Sequence, residues 1–233
     1  MRDNFWLNGE DARKYGIELQ REIQFSAAEP DVETVSVPGH SGDIVYFNGR
    51  FRNVIGTADC YCLRENVSRV IAAVNNWLLK STDYRRLETL IEPDVFRMAR
   101  LRYGVNLEAR LNRLNPFTLE FDCKPQRYLK SGETAIRATS GTVLINPTGF
   151  DALPVIVVHG SGSGTLTVGE YTMQLDDCDE LTLSTERCRA SSGSVIKNST
   201  VHGQWAVLHE GENELSFSGG ITGIEITPRW WTL

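Results

Sequence analysis

The sequence predicts a mainly β protein with an α+β N-terminal domain, which has one main helix, and a C-terminal β-sandwich. From Leu153 to the C-terminus, short alternating segments are separated by turn residues, which is typical of a sandwich. Before residue 130 the pattern is strands, one helix and further strands, which indicates an α+β layer. The polar segment 124–133 contains Pro125 and Gly132. We place the boundary there, with domains 1–130 and 131–233.

The helix is predicted near residues 66–80 from the spacing of its apolar side chains. Asn66 suits the N-cap and Lys80 suits the last turn, by hydrogen bonding and by charge respectively. The apolar stripe, at intervals of three and four residues, consists of Val67, Val70, Ile71, Val74, Trp77 and Leu78. Such a stripe predicts that the helix lies flat on a sheet.

Long hairpins are predicted near residues 32–56. Residues 32–37 alternate, residues 38–43 form a glycine-containing turn, and residues 44–47 form a second strand. Asn48-Gly49 follows that strand, and an Asn-Gly pair between apolar runs is a strong hairpin signal. Residues 32–56 therefore form one or two hairpins.

Both faces of the predicted hairpin are apolar. Because side chains alternate along a strand, Val45 and Phe47 fall on one face and Ile44 and Tyr46 on the other. In a monomer the hairpin would leave strand edges unpaired. A cyclic assembly of several copies would remove those edges.

Further strands are predicted from alternation between turn signals. An N-terminal strand at 5–7 enters an Asn8-Gly9 turn, and an extended run resumes at 15–19. The remaining predicted strands lie at 96–101, 106–111, 116–121, 141–145, 154–158, 164–168, 171–175, 180–184, 205–209, 213–217 and 221–227. Leu181 and Leu183, with Leu215, Phe217, Ile224 and Ile226, are predicted to point into the sandwich core.

Composition describes an ordinary globular protein. The chain has 233 residues, 41% hydrophobic and 23% charged, with a formal net charge of −6, which argues against a dedicated nucleic-acid clamp. Its five cysteines are an odd number, and we expect them to be reduced and mostly buried. The N-terminus lacks the apolar stretch of a signal peptide, and no segment approaches the length of a membrane span.

The sequence motifs that would indicate catalysis or metal binding are weak. His159–Gly164 has glycine where a nucleophile elbow needs serine, and we interpret it as a flexible hairpin. The acidic cluster 176–180 lacks the spacing of a calcium loop, and we interpret it as a solvated turn, with a calcium site as the lesser alternative. We assign no catalytic residue, no cofactor and no metal site, and we expect the protein not to be an enzyme.

Arginines and tryptophans each leave two readings open. A basic stretch (Arg85, Arg86, Arg97, Arg100, Arg102, Arg110 and Arg113) is either a solvated face or a set of partners for carboxylates across a subunit contact. Trp205, Trp230 and Trp231 are core or interface anchors, or a sugar-stacking platform. Adjacent Trp230 and Trp231 face opposite ways on a strand, so only one of them can be buried.

In their order along the chain, several segments resemble the distal tail proteins (the Dit family) of long-tailed phages with flexible tails, or of prophages. The resemblance covers nearly the whole length. The matching segments are Phe5–Gly9, Tyr15–Ile17, Val37–Asp43, Asn76–Leu79, Asp83–Leu87, Pro93–Ala99, Phe117–Pro125 and Gly223–Trp230.

This resemblance implies a structural protein of the virion tail tip, made and assembled in the bacterial cytoplasm. It implies a hexameric ring of N-terminal domains, with the hairpin near 32–56 reaching the neighbouring subunit as a belt. The C-terminal domain would be galectin-like and would dock other proteins. The implied partners are the tail tube protein, a tail-tip hub protein of the tail-associated lysin type and a receptor-binding protein, with DNA only in transit and no membrane insertion.

The apolar hairpin and the family resemblance both predict a contact between subunits. The residues that we expect there are Val37, Pro38, Gly39, Tyr46, Phe47, Arg97 and Arg100. The alternative function is a carbohydrate-binding module on a small α+β carrier, for which the tryptophans would be responsible. A third reading is a hydrolase with an unusual serine or carboxylate site, but no nucleophile in the sequence has a recognisable base nearby in any motif.

Overall fold

The computed structural model describes residues 3–63, 67–103 and 114–233. It divides into two compact units, one of Met1–Arg127 with Leu233 and one of Tyr128–Thr232. The predicted fold class is confirmed, because the protein is mainly β with one α-helix among the described residues. The predicted strand at 106–111, the Asn66 cap, and the side chains of Arg110 and Arg113 lie outside the described residues.

The first unit contains an antiparallel sheet and a separate two-stranded hairpin. Along the main sheet the strand order is β2-β1-β8-β9-β10-β7-β3, β4 also pairs with β7, and β5 pairs only with β6. The strands are β1 (Phe5–Leu7), β2 (Glu10–Asp11), β3 (Glu18–Leu19), β4 (Gln24–Phe25), β5 (Pro30–Val35), β6 (Ile44–Phe51), β7 (Val54–Leu63), β8 (Arg85–Thr89), β9 (Val95–Leu101) and β10 (Leu114–Leu129).

The helix α1 (Val67–Leu78) covers the core of this unit as its apolar stripe predicts. Val70, Val74, Trp77 and Leu78 are buried, in the same cluster as the inward residues of the sheet. The Trp77 ring stacks on the Tyr15 ring at a centroid distance of 4.3 Å. Burying each large apolar side chain contributes about 1.5–3 kcal/mol, so packing rather than intrinsic propensity stabilises this helix.

The two Asn-Gly pairs have different structural roles. Asn8 and Gly9 both have positive φ angles, 54° and 77°, and join β1 to β2 in a tight turn, as predicted. Gly49 also has a positive φ, 71°, but it lies inside β6, where the register with β5 shifts. The prediction of a hairpin turn at Asn48-Gly49 is therefore wrong, because the same backbone conformation serves a β-bulge.

The second unit is a β-sandwich whose two longest strands each contribute to both layers. The first half of β13 pairs with β15 and its second half with β14. Likewise β19 pairs with β12 near its start and with β11 near its end. The strands are β11 (Ile136–Ala138), β12 (Thr142–Asn146), β13 (Val155–Val168), β14 (Tyr171–Leu175), β15 (Leu181–Ser184), β16 (Arg189–Ser192), β17 (Val195–Ile196), β18 (Val201–Gly203), β19 (Gly211–Thr227) and β20 (Trp231–Thr232).

Glycines allow β13 and β19 to bend together. The register between them shifts on both sides of Gly160, and a Cβ at Gly160 would lie 2.1 Å from the carbonyl oxygen of Gly220. The glycine-rich run after His159 is therefore a bulged strand, and its interpretation as a flexible hairpin is wrong. The strands predicted at 154–158 and 164–168 are two halves of β13 for the same reason.

Other strand predictions also need correction. Residues 205–209 form no strand, and only Leu208 makes an isolated bridge, to Ala152. The polar segment from residue 124 continues β10 as far as Leu129 and then forms a 3-10 turn at Lys130–Glu133. Polar residues dominate this stretch and suggest a connection, but Pro125 and Tyr128 are buried, and burial of these two side chains cannot be read from the local sequence.

All five cysteines are free. Cys60 and Cys62 share one buried face of β7, as expected for residues two apart on a strand. Cys123 and Cys178 are also buried, and Cys188 is exposed. None of the helices in the described residues is both long and apolar enough to cross a membrane.

Candidate subunit interface

Among the described residues, the hairpin of β5 and β6, with its connecting loop, carries more large exposed apolar side chains than any other element. Its register pairs Val32 with Phe47, Thr34 with Val45 and Val35 with Ile44. Side chains directly opposite each other share a face. Phe47 and Val45 thus occupy one face, and Ile44 occupies the other.

Apolar side chains on both faces of the hairpin are open to solvent. Relative exposure runs from 38% at Val37 to 59% at Val45 and Tyr46. The six large exposed side chains are Val35, Val37, Ile44, Val45, Tyr46 and Phe47. A hairpin that packs on its own subunit would hide one of its faces, and this hairpin hides neither.

A two-stranded hairpin of this kind is only marginally stable in water by itself. Each half-exposed side chain has about 1 kcal/mol of burial free energy still to be gained. Six of them represent about 6 kcal/mol per subunit before the costs of association. Covering the hairpin with another surface would therefore be energetically favourable.

The base of the hairpin is held by an ion-pair cluster. The Asp31 carboxylate accepts hydrogen bonds from the Arg50 Nε at 2.7 Å and from the Arg52 Nε at 3.1 Å. The Arg52 backbone N–H donates to the Glu29 carbonyl oxygen at 2.8 Å. Hydrogen bonds from Arg50 and Arg52 hold the pKa of Asp31 below its ordinary value. The two strands are thus tied together where they meet the main sheet.

We expect acid to loosen this hairpin. Because the pKa of Asp31 is lowered in the native state, its ion pairs stabilise the hairpin above the ordinary carboxyl pKa of about 3.9. Their contribution is lost as the pH falls through the lowered pKa. Protection factors from amide hydrogen exchange in β5 and β6 should fall below about pH 4, and amides of β7 and β10 should serve as the internal reference.

Asp31→Asn is the control for that experiment. The variant should show weak hairpin protection that no longer changes over the same pH range, because the titrating group is gone. An unaltered pH profile in Asp31→Asn would contradict the role of Asp31.

The structure brings five of the seven predicted contact residues together. Val37, Pro38 and Gly39 lie in the exposed loop between β5 and β6, and Tyr46 and Phe47 lie in β6. Whether they contact another subunit remains a prediction.

The other two predicted residues lie on β9, on opposite faces of the main sheet. The Arg100 Nε donates to the Asp122 Oδ2 at 2.9 Å at the surface. Arg97 is buried, with its guanidinium 4.3 Å from the centroid of the Phe25 ring.

The other three arginines of the basic stretch that fall in the described ranges all have partners within the chain. Arg85 donates to the carbonyl oxygens of Trp77, at 2.9 Å, and Leu78, at the end of α1. The remaining two pairs are Arg86–Glu88 at 2.8 Å and Arg102–Glu120 at 3.4 Å. These contacts account for the stretch without a dedicated basic face.

The tryptophans of the second unit mainly serve packing. Trp230, which precedes β20, is buried, and Trp231, the first residue of β20, is partly exposed. One face of the Trp231 ring stacks on Phe150 at 4.5 Å, and its Nε1 donates to the Asp151 carbonyl oxygen at 2.9 Å. Trp205 packs against the core as a partly buried residue. These contacts take up ring faces that a sugar platform would need.

Histidines of the second unit take part in surface ion pairs. His209 Nδ1 lies 2.8 Å from the Asp151 Oδ1, and its Nε2 lies 2.9 Å from the Tyr171 hydroxyl. The hydrogen bond to Asp151 raises the pKa of His209. His159 pairs with Glu180 at 2.9 Å. These arrangements match exposed ion pairs, which contribute little to stability.

The predicted acidic turn between β14 and β15 also makes surface contacts. Asp176 lies 3.0 Å from His202 Nε2, and Asp177 accepts from the Lys197 Nζ at 3.0 Å. Within the described ranges, no group of three or more His, Cys, Asp or Glu side chains is arranged to hold a metal ion.

Sequence reasoning missed the cluster that holds the base of the hairpin. Asp31 is separated from Arg50 by 19 positions and from Arg52 by 21, and only the strand register brings them together. The available signal was the pair of arginines two positions apart, which share a face and lie opposite an acidic residue once the strands are aligned.

The fold is shared with a phage protein of known structure. Over the full length of both chains, the structure is similar to that of the Dit protein (gp 19.1) of SPP1, with a TM-score of 0.75 and 14% sequence identity. That protein is described as a paradigm of the hub adsorption apparatus in phages that infect Gram-positive bacteria. At this identity the likeness establishes a shared fold. No family model matches the chain, and no curated protein matches it.

Proposed function

We propose that this chain is a structural subunit of a phage or prophage tail tip, a distal tail protein that assembles into a hub ring. The observation that carries the proposal is the β5–β6 hairpin, which exposes apolar side chains on both faces. The full-length similarity to the SPP1 Dit structure supports the same role. The ring would have six subunits and would leave a central opening for DNA.

Self-association through the hairpin follows from its energetics. A neighbouring subunit that covers the hairpin removes its exposed apolar surface and its open strand edges together. A closed ring satisfies every hairpin at once, whereas an open chain leaves one exposed. In this arrangement Val37, Pro38, Gly39, Tyr46 and Phe47 contact the neighbouring subunit.

The second unit would dock other tail-tip proteins. Its most exposed aliphatic side chains lie on β12, at Val143 and Ile145, and on the edge strand β17, at Val195 and Ile196. The partners in this proposal are the tail tube protein, a tail-tip hub protein of the tail-associated lysin type and a receptor-binding protein. The modest net charge of −6 would let DNA pass without strong attachment.

The experiment is to determine the mass and shape of the purified protein. Light scattering after gel filtration at tens of micromolar should give about six times the subunit mass, because the hairpin drives closure. Negative-stain microscopy should show rings with an opening wide enough for duplex DNA. A protein that stays monomeric and does not bind the tube protein of its own phage would contradict the proposal.

A further inference from the structure

A buried arginine lines a pocket of the first unit. Arg97 lies on β9, on the same sheet face as the buried residues Ala99 and Leu101, and is itself 9% exposed. The guanidinium is charged at any physiological pH. Arg97 is therefore a cation on the core side of the sheet.

Within the described residues, the Arg97 Nε is buried and has no hydrogen-bond partner. The Phe25 ring supports one side of the guanidinium, and a ring face supplies attraction but no acceptor atom in the guanidinium plane. Desolvation by burial lowers the pKa of Arg97. A buried donor without an acceptor is unfavourable, so this side chain would gain from an acceptor that the described residues do not supply.

The pocket has a volume of about 520 Å³ and a mixed lining. Its apolar wall includes Phe25, Ala28 and Pro125, and its charged wall includes Arg97, Glu92 and Arg127. Glu92 is occupied, because its Oε1 accepts a hydrogen bond from the Arg127 Nη2. Glu22 lies at the exposed rim, and the Arg127 Nη1 also donates to the Leu233 carbonyl oxygen at 3.4 Å. Two donors of the lining remain unsatisfied among the described residues, the Arg97 Nε and the Arg127 Nε.

We propose that the Arg97 pocket is a carboxylate-binding site, filled by an acidic side chain of a second copy of this chain. A carboxylate matches the fork of donors on a guanidinium. Carboxylates are plentiful on the partner, because the chain has 30 Asp and Glu against 24 Lys and Arg. The apolar wall would accept the methylene groups that carry the acid. The identity of the partner rests on the proposed self-assembly, whereas the carboxylate chemistry does not.

The first arm tests the chemistry on dispersed protein, in which Tyr46 and Phe47 are changed to serine to prevent assembly. Acetate is titrated at constant ionic strength against chloride while the arginine Nε–Hε resonances are followed by nuclear magnetic resonance. The Arg97 signal, assigned from its loss in Arg97→Lys, should shift with acetate and not with chloride. Arg100 is the matched control on the same strand, because its Nε is already paired with Asp122. An Arg97 signal that ignores acetate overturns the proposed site.

The second arm tests the source of the carboxylate with Arg97→Met, which replaces the guanidinium with an uncharged thioether that can still pack on Phe25. Removing an unpaired buried charge should leave the thermal midpoint of the dispersed subunit unchanged or raise it. Self-association should weaken by about 30-fold or more. A purely structural arginine would produce the opposite pattern, with a less stable subunit and unchanged assembly.

The two arms separate this proposal from the proposed function. An acetate response with normal assembly of Arg97→Met retains the carboxylate site and overturns the second copy as its source. A wild-type protein that never assembles would likewise overturn the second copy as the source of the carboxylate. No acetate response in a protein that forms rings overturns the site and leaves the proposed function standing.

Discussion

Changing Tyr46 and Phe47 together to serine is expected to prevent assembly while the subunit stays folded. The two side chains are 59% and 54% exposed and lie on opposite faces of the hairpin. Each loses about 1 kcal/mol of burial free energy at a contact, so each interface weakens by about 30-fold. In a ring, the loss of binding free energy occurs at every subunit contact. Light scattering after gel filtration should then give the mass of a single subunit.

The matched control is the pair Val195→Ser and Ile196→Ser. These side chains are as exposed as the hairpin pair, at 59% and 62%, but they lie in the second unit. This variant should assemble like the wild type, and both variants should keep the far-ultraviolet circular dichroism of the native protein. Equal losses in both variants would show that general surface apolarity, and not the hairpin, drives association.

Gly220→Ala is expected to destabilise the second unit by about 3 kcal/mol, the upper end for an overpacked site. A Cβ at this position would lie 1.8 Å from the Ser161 carbonyl oxygen. No rotamer change can relieve this clash, because the backbone fixes the position of the Cβ and the oxygen is itself a backbone atom. The strands β13 and β19 would have to separate at the bulge where each passes between layers. Urea unfolding, followed through the buried Trp230, would measure the change.

Gly223→Ala provides the comparison within the same strand. A Cβ at Gly223 would have nothing within 4 Å, and the residue is not in a left-handed conformation. This substitution should change the free energy of unfolding by less than about 1 kcal/mol, with a tendency to stabilise. If the two alanine variants unfold at the same urea concentration, the close approach of β13 and β19 is not what holds the sandwich.

The elements that could be predicted from sequence are those fixed by local periodicity. The stripe from Val70 to Leu78 predicts the helix because burial on one face requires that spacing. The errors arise where one local conformation serves two purposes. Asn48-Gly49 fits a turn and a bulge equally well, and only its pairing with β5 decides between them.

The candidate interface also has residues whose placement follows from the sequence and residues whose placement does not. Tyr46 and Phe47 could be predicted, because consecutive apolar residues in a strand must place one on each face. The unsatisfied donor at Arg97 could not, because its isolation depends on Glu92 being paired with Arg127, a contact between residues far apart in sequence. Alternation alone gives no information on which charges are already neutralised.

The difference in exposure among the cysteines provides a single natural site for attaching a probe. Cys60, Cys62, Cys123 and Cys178 are buried, and burial raises the pKa of Cys123 to about 12, so these groups hold their protons and resist alkylation. Cys188 alone is exposed. A maleimide dye can therefore mark the second unit of the unmodified sequence at one position, and the brightness of a single particle would count its subunits.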